Sequence, residues 1–182
     1  MSETIEFKAG DKVVYPAHGV GEVTGEETQT VAGMDLKVYV VQFEKDKMVL
    51  RVPVGRANDS GLRALCPEQQ VDKAMTVLKG RAKPGRGMWS RRAQEYEGKI
   101  NSGDVIAISE VVRDLYKNVD DPDRSYSERV IYESALARLA SEFAAVKNIS
   151  AEDAMSKLVT ILKARRAATK PSNDDNQEDV AA

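Results

Sequence analysis

Between Lys73 and Arg92 the chain places Lys73, Lys79, Arg81, Lys83, Arg86, Arg91 and Arg92, with no Asp or Glu among them. Trp89, the only tryptophan, lies inside this run, directly before Ser90-Arg91-Arg92. Lys83-Pro84-Gly85-Arg86-Gly87 breaks any helix just ahead of it, because proline lacks a backbone donor and glycine is conformationally loose. A large aromatic delivered at a helix start, with arginines on both sides, suits a polyanion that offers a surface to stack on or wedge into. Nucleic acid has that chemistry. The same residue types also serve plainer ends, since a lone tryptophan is commonly part of a core and a basic run commonly a solvated face.

Other chemistries find little support. One histidine and one cysteine leave no His/Cys cluster spaced for zinc and no Cys–His pair with a local context. Gly85-Arg86-Gly87 lacks the GxxxxGK[ST] frame that cradles phosphates, and GxGxxG does not occur. The carboxylate pairs Asp120-Asp121 and Asp174-Asp175 fall in a turn and in a tail. His18, in Pro16-Ala17-His18-Gly19, reads as a turn residue rather than a base. Cys66 reads as a small buried apolar residue. The expectation is a non-enzyme without metal or cofactor.

The elements that position these residues divide into two kinds. Lys12–Tyr15 is β-prone and stops at Pro16. Val20–Val31, Leu36–Phe43 and the alternating Met48, Leu50, Val52, Val54 read as further strands, with Val49 and Arg51 on the opposite face of the last. Gly61–Leu65 closes the set. Short consecutive strands with tight turns predict a small, strongly bent antiparallel β-barrel. After Pro67 the period changes. Val71, Ala74, Met75 and Leu78 predict one helix, and a second is expected from Met88 to about Lys99, ending near Gly98. Ser102 is expected to cap a third, with Val105, Ile108, Val112 and Leu115 on its apolar face. Asp120–Asp123 reads as a turn. Ser125–Glu128 resembles a capping box for a fourth helix, striped by Tyr132, Leu136, Leu139, Phe143 and Val146. Ser150–Asp153 opens a last helix with Met155, Leu158, Ile161 and Leu162.

The fold class expected is therefore α+β, an N-terminal β domain over residues 1–66 and an all-helical domain of about five helices over 67–168. Residues 169–182 read as a disordered acidic tail. With 182 residues the chain can bury at least one proper core. The formal net charge is −2, and removing the four acids after Ser172 leaves the remainder at +2. A single cysteine excludes an internal disulfide and favours a reducing compartment. No apolar run approaches membrane-spanning length, and MSETIEFKAG lacks a signal-peptide core, so a cytoplasmic location is expected.

Several of these stretches resemble the bacterial CarD/CdnL transcription regulators. Phe7-Lys8-Ala9-Gly10-Asp11-Lys12-Val13-Val14-Tyr15-Pro16-Ala17-His18-Gly19 resembles the family's opening, and Arg51-Val52-Pro53 a later strand motif. Trp89-Ser90-Arg91-Arg92, Ser102-Gly103-Asp104 and Glu110-Val111-Val112-Arg113-Asp114-Leu115 resemble its helical domain. The likeness runs from about Phe7 to Arg166 and is of the CdnL type, without added DNA-binding domains. It implies a Tudor-like N-terminal domain docking on the RNA polymerase β subunit through Met48, Val49 and Arg51. Gln29 stands where the family commonly has a second basic contact. It further implies a helical domain that contacts promoter DNA in the minor groove at the upstream edge of the bubble, through Trp89, Arg91 and Arg92. Arg86 adjoins them, and Arg129 matches a basic residue early in the fourth helix. Such a protein is a monomer, nucleoid-associated through polymerase, binding DNA weakly alone and stabilising the open complex at promoters such as those of ribosomal RNA. A wedge favours the open form only through its differential affinity for it.

Two other readings use the same residues. The chain could be an adaptor that docks on polymerase while its basic segment only packs or touches protein. A polymerase-docking domain fused to a nucleic-acid-processing activity is the other, and the lack of a nucleotide-binding motif opposes it. Nothing reads as a helix-turn-helix with a base-reading face. Val180-Ala181-Ala182 resembles the Ala-Ala ending of the ssrA tag read by ClpXP-type proteases, and a solubilising role for the tail is the alternative.

Overall fold

Alternation of buried and exposed side chains builds the first half of the chain. The structure, a computed structural model, describes residues 6–83, 85–116, 122 and 124–169. Pro84, Asp120-Asp121 and the tail from residue 170, with Val180, Ala181 and Ala182, lie outside the described residues. Strands β1 (Lys12–Tyr15), β2 (Gly19–Val31), β3 (Met34–Phe43), β4 (Met48–Pro53) and β5 (Arg63–Ala64) form one antiparallel sheet in the order β4-β3-β2-β1-β5. The β2–β3 hairpin turns at Ala32-Gly33, both at positive φ (52° and 77°), the conformation that matches strand twist. A register shift between Val23 and Gly25 bends β2. At Gly21 the strands pass so closely that an added Cβ would meet Phe43 and Val41 carbons at 2.8 Å.

Val23, Tyr39, Val41, Phe43 and Val52 point to the inner side and bury with Val13, Ala57 and Leu62. Phe7 covers one end, its N–H donating to Tyr39 Oη at 3.3 Å and its ring meeting Tyr39 edge-on. Val54, expected to continue β4, instead starts a short 3-10 turn over Val54–Arg56.

Five α-helices follow among the described residues: α1 (Glu68–Lys79), α2 (Trp89–Asn101), α3 (Val105–Tyr116), α4 (Tyr126–Lys147) and α5 (Ala151–Thr169). The α+β succession of strands then helices is the one expected. Val71, Ala74 and Leu78 of α1 meet Val105, Ile108, Val112 and Leu115 of α3 in a second core. Leu136, Leu139, Phe143, Leu158 and Leu162 complete it. Helix α2 runs through Gly98 to Asn101 rather than ending there, because Ile100, 4% exposed, anchors one more turn in this core. The cap of α3 is Asp104, whose Oδ1 accepts from Ile106 N–H at 3.0 Å; Ser102 Oγ instead bonds Lys99 C=O and Asp104 N–H. Ser125 does cap α4, accepting from Glu128 N–H, and Ser150 Oγ accepts from Asp153 N–H ahead of α5.

The two cores are joined by charge and by carbonyls. Arg63 on β5 forms a two-pronged pair with Glu142 on α4 (2.8 and 3.0 Å), and Glu142 also accepts the Cys66 N–H at 3.1 Å. Arg63 further donates to Gly103 C=O. Arg138, one turn before Glu142, donates to the carbonyls of Pro16, Ala17 and Ile100. The His18 turn is thus held against α4, and His18 stacks on Tyr15 with ring centroids 5.7 Å apart, as a turn residue.

Candidate nucleic-acid interface and docking face

Trp89 is the first residue of α2, and its N-cap Met88 offers no side-chain cap. The first turn of α2 holds no acid, so its free N–H groups and the positive end of its dipole meet solvent beside Arg91 and Arg92. The indole is half-buried. It packs on the helical core, and its Nε1–H donates to Ser127 Oγ on α4 at 2.9 Å. Its other neighbours are Tyr96, at 6.3 Å between centroids, and the Arg92 guanidinium 5.5 Å over the ring. The tryptophan is therefore neither a fully exposed wedge nor a core residue. Helix α4 fixes its Nε1–H edge, Arg92 covers the ring and the residue is partly exposed.

The arginines differ in what they offer. Arg92 is folded between Trp89 and Tyr96 (5.5 and 5.9 Å), with Nη2 3.5 Å from Tyr96 Oη. It stiffens the indole more than it projects a charge. Arg91 is exposed, in a loose 3.7 Å pair with Glu95. Arg129, on the first turns of α4, is exposed and paired at 2.9 Å with Glu133, which holds its pKa above the ordinary arginine value. Pairs of this i,i+4 kind in water are weak and exchange readily for a phosphate. Arg86 is exposed in the loop ahead of α2.

The same patch contains residues that sequence reasoning passed over. Met88 is 77% exposed, Tyr126 82% and Val130 44%. Tyr126 adjoins Ser127, the indole's partner, and Val130 is one turn further along α4. The available signal was that Tyr126 and Val130, four apart, fall off the Tyr132–Leu136–Leu139 stripe. Met88, Tyr126 and Val130 are all exposed and adjoin Trp89, Ser127 and Arg129 along the chain.

On the β domain, Arg51 and Val49 share the outer face of β4, as alternation predicts. Met48 does not share it. It pairs with Phe43 and packs on the inner core, so it lies on the contact strand but not on its exposed face. Gln29 lies opposite Leu36 on β2, with β3 between it and β4. Arg51 Nε donates to Glu27 Oε2 at 3.0 Å, the pair reaching across β3. The outer face also carries Val31, Met34, Leu36 and Val49, all exposed.

Among the described residues no group of His, Cys, Asp and Glu could hold a metal ion, and no helix is long and apolar enough to cross a membrane. A cleft of about 650 Å³ lies between the sheet and helices α4 and α5, walled by Ala140, Ala144 and Met155 on one side and Glu22 and Gln42 on the other. Cys66 is half-buried at the domain junction. Burial, and then the adjacent Glu142 carboxylate, push its thiol pKa up to about 12.

Residues 7–66 match the family described as the CarD-like/TRCF RID domain, and residues 73–159 match that described as CarD, C-terminal domain. YdeB of Bacillus subtilis (strain 168), whose name describes a transcription factor, is 25% identical over 144 residues, covering 79% of this chain and 94% of that protein. Two solved structures, both from Myxococcus xanthus, are similar to the β domain. One is the solution NMR structure of the 72-residue N-terminal domain of CarD (35% identity, 35% of this chain and 84% of that one, TM-score 0.29). The other is CdnLNt (38% identity, 37% and 96%, TM-score 0.31).

Proposed function

Because the chain belongs to the CarD family of transcription factors, we propose that it acts at transcription initiation by bridging RNA polymerase and promoter DNA. The outer face of β2–β4, with Arg51, Val49 and Gln29, docks on the polymerase β subunit. The patch around Trp89 meets the minor groove at the upstream edge of the bubble and holds the promoter open. Neither activity is catalytic. One observation carries the DNA reading: a partly buried indole at an uncapped helix N-terminus, followed by Arg91 and Arg92, bonded to α4 two residues before Arg129, with exposed Met88 preceding it and exposed Tyr126 preceding its partner Ser127.

The geometry also supports how such a wedge would act. A ring braced by Ser127 and Arg92 loses little freedom on inserting, so less of its contact energy goes into ordering it. Insertion costs stacking energy, least where the step is already distorted at the bubble edge. The differential favours the open complex.

The test is the lifetime of the open complex at a ribosomal RNA promoter, with parent protein and with Trp89→Ala. Half-burial and one hydrogen bond set the cost of that change at about 1–3 kcal/mol, below a full core truncation. The midpoint of thermal unfolding should therefore fall by roughly 2–4 °C per kcal/mol, leaving a folded protein at assay temperature. Its lifetime effect should vanish while polymerase binding persists. A folded variant that prolongs the open complex like the parent would instead leave the adaptor reading.

A further inference from the structure

Asp114 lies on α3 and is 5% exposed, one of three buried polar or charged residues among those described, with Ser109 and Glu142. Its Oδ1 accepts from the backbone N–H of Lys83 at 2.9 Å and from Arg113 Nε at 2.8 Å. Arg113 is itself nearly buried, at 12%. Taking such a pair out of water is costly, and an apolar residue of similar size would pack there at less cost. The carboxylate is aimed at a backbone amide of the basic loop between α1 and α2.

A second bond pins the same loop. Arg165 Nη1 on α5 donates to Gly80 C=O at 3.3 Å and to Arg113 C=O at 3.1 Å. Lys83 is thus fastened to the C-terminal turn of α3, and Gly80 to Arg165 of α5, which also bonds that turn. Further along, Gly85 N–H lies 3.5 Å from Tyr96 Oη. Gly80, Lys83 and Gly85, which flank Arg81 and precede Arg86 and Trp89, are therefore each bonded to the helices.

We propose that Asp114 is a positioning residue for DNA contact: by holding the Lys83 N–H it fixes the basic loop beside Trp89. The proposal rests on the reading of the Trp89 patch as the DNA surface. A loop ordered on folding does not have its ordering entropy deducted on binding, and its cations meet successive phosphates in register. Without the bond, Arg81, Lys83 and Arg86 still attract DNA, but not from fixed positions.

The experiment measures binding of the full chain to a labelled DNA duplex with a short central bubble, over a series of salt concentrations. Trp89→Ala should weaken binding, and if it does not, the reading of the patch fails and takes this proposal with it. Asp114→Ala should weaken binding severalfold and lower the log–log salt slope by about 0.9 for each phosphate no longer neutralised, with faster hydrogen exchange at the Lys83 amide. Asp114→Asn, which keeps an oxygen acceptor toward Lys83, should restore most of both. If Asp114→Ala does not fold, Lys83→Pro against Lys83→Ala decides. Both remove the lysine charge and only proline removes the N–H, so Lys83→Pro should bind more weakly. A weakened Trp89→Ala alongside a folded Asp114→Ala of unchanged affinity and slope would overturn the positioning role alone. Equal affinities of the two Lys83 variants would do the same.

Discussion

At the scale of single residues, what a side chain is bonded to decides what it can give a partner. Arg51 does not present a bare charge, because Glu27 meets it at 3.0 Å with both side chains about half exposed. Arg51→Glu sets two like charges across the strand, at a cost under about 1 kcal/mol for so exposed a pair. The fold should therefore survive while co-purification with the polymerase β subunit disappears. Undiminished co-purification would move the docking surface elsewhere. Cys66 gives a second outcome. A thiol pushed up to about 12 holds almost no thiolate near pH 7, so this single cysteine should alkylate slowly with iodoacetamide in the native protein and readily in denaturant. Rapid native labelling would mean that the Cys66–Glu142 junction opens often. Trp89 stood out in the sequence as the only tryptophan, Arg91 and Arg92 as part of a basic run without acids, and Arg51 by strand alternation. That Arg92 folds onto two rings of its own helix, and that the indole finds its partner Ser127 on α4, were not legible there, since local sequence does not say which rotamer a long side chain takes or which helices meet.

Elements were the most legible part, and their ends the least. The strands follow from alternation and the helices from apolar stripes at three and four residues, signals that local sequence carries in full. Tertiary contacts set the ends. Gly98 reads as a stop by propensity, yet Ile100 and Asn101 continue α2 because burying Ile100 outweighs glycine's looseness. Ser102 and Asp104 are both good caps, and only the fold chooses Asp104. A consequence concerns Gly98 itself. It sits inside the helix with no atom within 4 Å of an added Cβ. Gly98→Ala should stabilise the protein by about 0.5–1 kcal/mol, mainly by narrowing the unfolded ensemble. Chemical denaturation should show a higher midpoint at unchanged slope. A lower midpoint would mean that α2 is strained at this turn.

For the whole molecule, the question is how two cores with separate surfaces act as one object. No run of sequence announces the seam, because Arg63 and Glu142 are 79 residues apart and Arg138 reaches Pro16 from 122 residues away. Glu142 is 3% exposed and serves three donors, so deleting it would leave Arg63 uncompensated and cost roughly 3–5 kcal/mol. That destabilisation would confuse folding with geometry. Arg138 separates the two better. It is half-buried, burial holds its pKa below the ordinary arginine value, and it bonds only carbonyls, two of them in the Pro16-Ala17 turn of the β domain. Arg138→Gln keeps a shorter donor and leaves no buried charge behind. It should loosen the turn from α4 without unfolding either core. On the bridging reading, polymerase positions the DNA patch, and the effective concentration of that patch depends on how rigidly the two domains are joined. Arg138→Gln should then bind polymerase as the parent does and contact isolated DNA as the parent does, since neither surface is touched. Its open complexes should nonetheless decay faster, with increased hydrogen exchange confined to residues around Pro16 and Ala17. Faster exchange with an unchanged lifetime would mean that the two domains work through polymerase independently, and that the seam serves stability alone.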